Sequence, residues 1–341
     1  MKCDYDFIHE NIEIRPSPGK GRGFFAKQTI QKDTLIVISK AIVIIYADQH
    51  SSNEIQFIEK QLAKNIKTYP AEHVQAYNDL YGGPYGKRDL VSKFNYNSCR
   101  CYPRLDVLYN PAQKSPDIGL FTYLSYFNHS CVPNCTKYFI KDQVYIRVNK
   151  TINADEEIFI SYVANERNFF NLQGRASSLQ KYFSKCACDL CTLQETDQYK
   201  QYQLNLDHHL KLINQKLTLE ELLLNCEKFF ELRNAVLALN NPLFVLDGEL
   251  QAAEFYFEKL NNQNIDVQLL IKIIKSGFNE NAHIFFKPDG FNVAKQMHYF
   301  KLLNLDQSKC RKEFEEFEMN RYGQVEHIEA RYGKNLSKWT K

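Results

Sequence analysis

The stretch YFNHSCVPNC, Tyr126 to Cys135, holds two cysteines, a histidine and two asparagines in ten residues. Further on, CACDLC sets Cys186, Cys188 and Cys191 close together. Thiolates in a C-x-C-x-x-C run can converge on one centre from a tight turn. A borderline cation such as zinc prefers four such ligands in a tetrahedron. Three cysteines are one ligand short of a closed structural site. Cys131 and Cys135 are both candidates for the fourth place, Cys99 and Cys101 compete with them, and spacing does not choose. Without a metal, the same residues would be reduced, buried thiols. A Cys–His nucleophile pair is disfavoured. His129 and Cys131 are neighbours in sequence, whereas such pairs meet from distant segments beside a third, orienting group.

A second chemical element lies near the start. PSPGKGRGFFA, residues 16–26, interleaves Gly19, Gly21 and Gly23 with Lys20 and Arg22. It precedes a β segment and opens no helix, so neither the dinucleotide fingerprint nor a phosphate loop fits. Glycine backbone lets a ligand approach closely, and the two cations would suit a carboxylate. The plain alternative is a turn with a solvated basic tip.

These residues need a scaffold. The chain has 341 residues, 44% hydrophobic and 24% charged, which predicts a globular protein of two domains. The net charge is +3 with no long basic run, which argues against a dedicated nucleic-acid binder. The opening MKCDYDFIHENIEI lacks the apolar run of a signal peptide, and TLIVISKAIVIIYA is too short to span a bilayer. A cytoplasmic or nuclear location is expected. Disulfides are then not expected, and clustered cysteines point to metal or chemistry.

The first half reads as β. Residues 34–46 suggest two short strands, QVYIRV alternates Val144, Ile146 and Val148 against Tyr145 and Arg147, and EEIFISY at 156–162 is a further strand. Between them, residues 48–98 form a polar, helical insertion. From about residue 197 the spacing turns helical, with Thr218 as N-cap of one strong helix and a second helix over 311–333.

GKGRGFFA, NHSCVPNC, and EEIFISY followed by CACDLC occur in that order, and together they resemble the SET-domain protein methyltransferases. The likeness is to the SET-and-MYND branch and runs from about Ile12 to Cys191. It implies an α+β fold of short strands, a SET domain over 12–162 with the insertion inside it, a zinc-bound post-SET segment over 163–195, and an α-helical C-terminal domain over 197–341. It implies S-adenosyl-L-methionine as cofactor, held by Lys20, Gly21, Arg22, Asn97, Asn128, His129, Tyr162, Tyr182 and Phe183, with Tyr162 as the catalytic tyrosine. It also selects Cys131 to join Cys186, Cys188 and Cys191 on one zinc. The implied reaction is methyl transfer to lysine of a protein substrate, histone or non-histone, by a monomer that binds no membrane. The alternative is a SET-like, zinc-stabilised interaction module with weak or no turnover. The chain departs from the pattern at several places. The insertion has no cysteine for a MYND finger, Asp155 replaces a glycine, and Ser184 stands where an aromatic is usual. The helical half is also short for the branch, which implies a reduced peptide groove.

Overall fold

The computed structural model describes residues 6–46, 54–83, 90–101, 117–163, 172–180, 182–241, 243–244 and 246–277. These fall into two compact units. One holds residues up to 129 together with 133–160, and the other holds 130–132 and the residues from 161 onward.

The first unit is built on two sheets. One orders β5 (Cys99–Cys101), β6 (Asp117–Phe121), β4 (Leu35–Ile45), β9 (Gln143–Val148) and β8 (Cys135–Ile140), with β1 (Phe7–Ile8) also paired to β4. The other orders β2 (Ile12–Ser17), β3 (Gly21–Ala26), β10 (Glu157–Ile160) and β7 (Asn128–His129). All pairings are antiparallel except β10 with β7.

The expected pair of strands over 34–46 is one long strand. Leu35 to Lys40 pairs with β9, and Ala41 to Ile45 pairs with β6, with a bulge between Ala41 and Val43 where the partner changes. The carbonyls at that irregularity are met from the insertion. Tyr69 donates its hydroxyl to the Ala41 carbonyl at 3.0 Å, and Asn65 Nδ2 donates to that of Ile42 at 2.5 Å. The alternation of β9 is present, but both of its faces are buried, including Tyr145 and Arg147. The insertion is helical, as α1 (Glu54–Ile66), α2 (Ala71–Asn78) and α3 (Leu90–Asn97). Ile58 and Leu62, one turn apart on α1, are buried, and the helix packs against β4 and α3.

The second unit is helical: α4 (Leu172–Leu179), α5 (Asp189–Gln194), α6 (Asp197–Ile213), α7 (Leu219–Ala238), α8 (Glu249–Asn261) and α9 (Val267–Gly277). Thr218 caps α7 in a reciprocal box with Glu221, so two orphan amides at the helix start are satisfied. Leu206, Phe229, Tyr256, Leu260 and Ile273 fill the space between α6, α7, α8 and α9. The helix expected over 311–333 lies outside the described residues. No helix among them is long and apolar enough to cross a membrane.

Candidate cofactor site and metal centre

In the first unit the glycine loop and the NHS loop lie on either side of β10. The β2–β3 turn has Gly19 at φ +71° and Gly21 at φ +81°, a left-handed backbone open to glycine. Among the described residues no atom lies within 4 Å of where a Gly21 Cβ would stand, so its backbone is approachable. On the far side of β10, Asn128 and His129 pair in parallel with Phe159 and Ile160.

Glu157 joins the two loops. Its Oε1 accepts from Ser17 Oγ at 2.8 Å and Asn128 Nδ2 at 2.7 Å, and its Oε2 accepts from Lys20 Nζ at 3.1 Å. Asn128 Nδ2 also donates to the Arg22 carbonyl at 3.2 Å. Gly23 must be glycine for this arrangement. A Cβ there would stand 2.5 Å from Glu157 Oε1 and 2.8 Å from Asn128 Nδ2. Asn134, the last asparagine of NHSCVPN, accepts from Phe159 N at 2.7 Å and donates to the Glu157 carbonyl at 2.9 Å.

The two loop cations expected to suit a ligand carboxylate each engage an acidic residue of the chain. Lys20 pairs with Glu157 and lies 4.5 Å above the Phe159 ring. Arg22 lies over the Tyr126 ring, donates from Nη2 to the Asp79 carbonyl at 2.5 Å, and faces the Asp79 carboxylate at 3.9 Å. The segment that Arg22 grips leads to Asn97. Asn97 Nδ2 donates to the carbonyls of Tyr81 and Lys93, both at 2.7 Å. Its Oδ1 is therefore the atom left to accept from a ligand. Lys93 is buried and donates to the carbonyls of Tyr77 and Asn78, which closes the end of α2. Lys20, Gly21, Arg22, Asn97, Asn128 and His129 thus belong to one unit, and Lys20, the Arg22 carbonyl and Asn128 share one hydrogen-bonded network with Glu157.

Asp155, where glycine was expected, has φ +65°. The turn keeps the left-handed conformation, and the carboxylate accepts from Arg15 Nη1 at 2.7 Å.

Tyr162, Tyr182 and Phe183 belong to the second unit. The Tyr162 and Tyr182 rings are 4.8 Å apart and tilted by 58°. The amides of Tyr182 and Phe183 both donate to the Leu179 carbonyl, so the aromatic pair continues directly from the end of α4. Phe183 packs against a core of Cys131, Val163, Leu179, Leu190 and Cys191. Ser184 is exposed, and the inward neighbour Phe183 faces the cysteine core.

The same unit gathers Cys131, Cys186, Cys188 and Cys191, whose sulfur atoms all lie within 4.8 Å of one another. Cys131 Sγ is 3.6 Å from that of Cys191 and 4.0 Å from that of Cys186. A tetrahedral zinc with Zn–S bonds of about 2.3 Å sets its sulfurs about 3.8 Å apart, so the donor set fits the ion. Without a cation the four sulfurs cannot all be thiolates at such distances. Hydrogen bonding to Cys186 and the other two sulfurs, with burial, pushes the Cys131 thiol up, while hydrogen bonds, first from Cys131, hold Cys188 down. A bound zinc removes the conflict by taking the place of the protons. Cys135 lies apart from this group, fully buried on β8 in the other unit, and Cys99 and Cys101 form β5 there.

Reasoning from spacing left Glu157, Asn134, Ser17 and Asp79 without roles. Glu157, Asn134 and Ser17 stood inside the quoted stretches, and the signal for Glu157 was a charged side chain on an expected strand. Asp79 carried no such signal, because only the fold brings it to the loop.

The SET domain family model matches residues 21–163. A methyltransferase of Gibberella zeae is 26% identical over 222 residues, which is 53% of this chain and 30% of that protein. A SET and MYND domain-containing protein of Dictyostelium discoideum is 37% identical over 90 residues, 25% of this chain and 15% of its own length. The mouse histone-lysine N-methyltransferase SMYD3 is 26% identical over 138 residues, 40% of this chain and 30% of the enzyme. The chain thus spans less than a third of the length of these relatives. The matched region opens at Gly21, in the glycine turn, and closes at Val163, against the cysteine core. Residues 21–163 thus match a SET domain, and the chain is similar to methyltransferases that include members of the SET-and-MYND branch.

Proposed function

We propose that the protein methylates lysine side chains of other proteins with S-adenosyl-L-methionine as donor. The observation that carries this reading is the strand order β3-β10-β7. It sets the glycine loop and the NHS loop on either side of one strand and ties both to Glu157. That is the arrangement needed for a ligand held mainly by backbone.

When bound, the cofactor supplies a methyl group on a sulfonium. The open backbone at Gly21 would take the ligand's polar groups, with Lys20 and Arg22 holding the loop in shape through Glu157 and Asp79. Asn97, with its amide nitrogen committed, offers an acceptor suited to an ammonium group such as the amino-acid end of the cofactor. Asn128 spends its amide nitrogen on Arg22 and Glu157, and it and His129 would contribute to a ligand mainly through main chain. Carbonyls of that loop can accept weak CH···O contacts. Tyr162 would orient the attacking amine through its hydroxyl, and Tyr182 and Phe183 would close over the cofactor. The amine must be neutral to attack, and desolvation among aromatic rings favours that form. Holding it in line supplies much of the rate. The cysteine cluster would hold zinc and fix the segment that carries these aromatics.

The test is incubation with labelled S-adenosyl-L-methionine and a cell extract, followed by mapping of the labelled residue. Label on lysine, reduced at least tenfold by Tyr162→Phe, is expected. Cofactor binding with no transfer to any protein would instead identify a SET-like interaction module.

A further inference from the structure

Arg175 sits on α4 with none of its surface exposed. Its Nη2 donates to Cys191 Sγ at 3.4 Å and also to Gln194 Oε1. Gln194, at the end of α5, in turn donates from Nε2 to the Tyr199 hydroxyl on α6 at 2.8 Å. A guanidinium stays protonated under all ordinary conditions, so this is a permanent positive charge inside the helical unit. Burying it is costly unless a negative group lies beside it.

Four thiolates on one zinc carry a net charge of minus two. We propose that Arg175 is the counter-charge of the tetracysteine centre: its guanidinium halves that buried charge through Cys191 and so sets how tightly the metal is held. This rests on the metal reading of the four cysteines. The arrangement also explains why a glutamine lies at Gln194. The amide oxygen fixes the guanidinium toward the sulfur, and its nitrogen still finds Tyr199, so no polar atom of the amide is wasted. A carboxylate there would neutralise Arg175 locally and leave the centre with its full charge. The contact has a second effect. Tyr182 and Phe183 continue from α4, so the charge pair fastens the helix preceding the aromatic segment to the metal centre.

Outer partners of metal ligands change affinity by roughly 10–100-fold. The experiment is zinc affinity of the full-length protein by competition with a chromogenic chelator, alongside zinc content and melting temperature. Arg175→Met, similar in length and uncharged, is expected to weaken zinc at least tenfold. Gln194→Met, which frees the guanidinium but keeps its charge, is expected to weaken zinc by a smaller factor. Arg175→Lys retains a charge and should recover part of the affinity. Should Arg175→Met fold poorly, Gln194→Met and Arg175→Lys give the same ranking. Arg175→Met with wild-type zinc affinity overturns the proposal and leaves the metal reading standing. A wild-type protein that binds no zinc overturns both.

Discussion

Glu157 is the point at which the site can be broken with the smallest chemical change. Three donors converge on its two oxygens: Ser17 and Asn128 on Oε1, and Lys20 on Oε2. A glutamine has one acceptor oxygen, so in Glu157→Gln one side must face a donor with a donor. The oxygen should turn toward Ser17 and Asn128. Lys20 has a half-exposed side chain that can swing into water, so its pair is worth under about 1 kcal/mol. The remaining bonds weaken because they lose a charged acceptor, and such bonds are worth about 1.5–3 kcal/mol each. The expected loss is about 1–3 kcal/mol in urea unfolding, with weaker binding of S-adenosyl-L-methionine by calorimetry. Gly23→Ala strikes the same group by volume, since its Cβ would stand 2.5 Å from Oε1. If both act on one network, the double variant Gly23→Ala/Glu157→Ala costs less than the two single changes together. Full additivity, or a Glu157→Gln protein unchanged in both stability and cofactor affinity, would refute the role given to Glu157.

Further expectations concern each unit separately. Cys131→Ser removes one of four ligands. Structural zinc sites are worth about 10–16 kcal/mol, and a quarter of that is about 2.5–4 kcal/mol, so zinc affinity should fall at least about 70-fold in chelator competition; a smaller loss would assign the fourth place to another group. Asp155→Gly relieves a left-handed residue at the expense of an exposed pair with Arg15, and the protein should melt unchanged or slightly higher, by under about 1 kcal/mol. Glu249 is buried 3.2 Å from Arg233, and its carboxyl is pushed up to about 7 by desolvation, which outweighs the guanidinium. A raised carboxyl means the fold binds a proton the unfolded chain does not. Stability should therefore rise as pH falls from about 7 toward the ordinary carboxyl range, by at most about 1.4 kcal/mol per pH unit. Urea midpoints at several pH values should show this slope in the wild type and not in Glu249→Gln, and parallel profiles would count against it.

Much of the SET half could be read from the residues because its signals are local. Glycines that must take positive φ, a strand that alternates, and thiols two and three positions apart all announce themselves within a few residues. What spacing could not choose was the fourth cysteine. Cys131 and Cys135 are equivalent by spacing; the family resemblance selected Cys131, and the fold agrees, placing it beside CACDLC and Cys135 inside β8. The break expected within 34–46 was a change of neighbour along one strand. Period-two patterning marks which face is buried, but it carries no record of which strand lies alongside. Arg147 and Arg175 escaped for a related reason. A charged residue reads as surface until a partner distant in sequence is known, and the partners here are the Asp33 carbonyl and Cys191.

Asn134 has a consequence for behaviour at high concentration. Strand β7 has only two residues and begins opposite Phe159, so it does not cover the stretch of β10 before that residue. The Asn134 amide takes up the Phe159 N–H and the Glu157 carbonyl, so a side chain stands in for the missing length of strand. An uncovered ladder edge invites a strand from another molecule. The asparagine that closes the NHSCVPN motif therefore also acts as a guard against edge-to-edge aggregation. It does so without adding backbone beside the NHS loop.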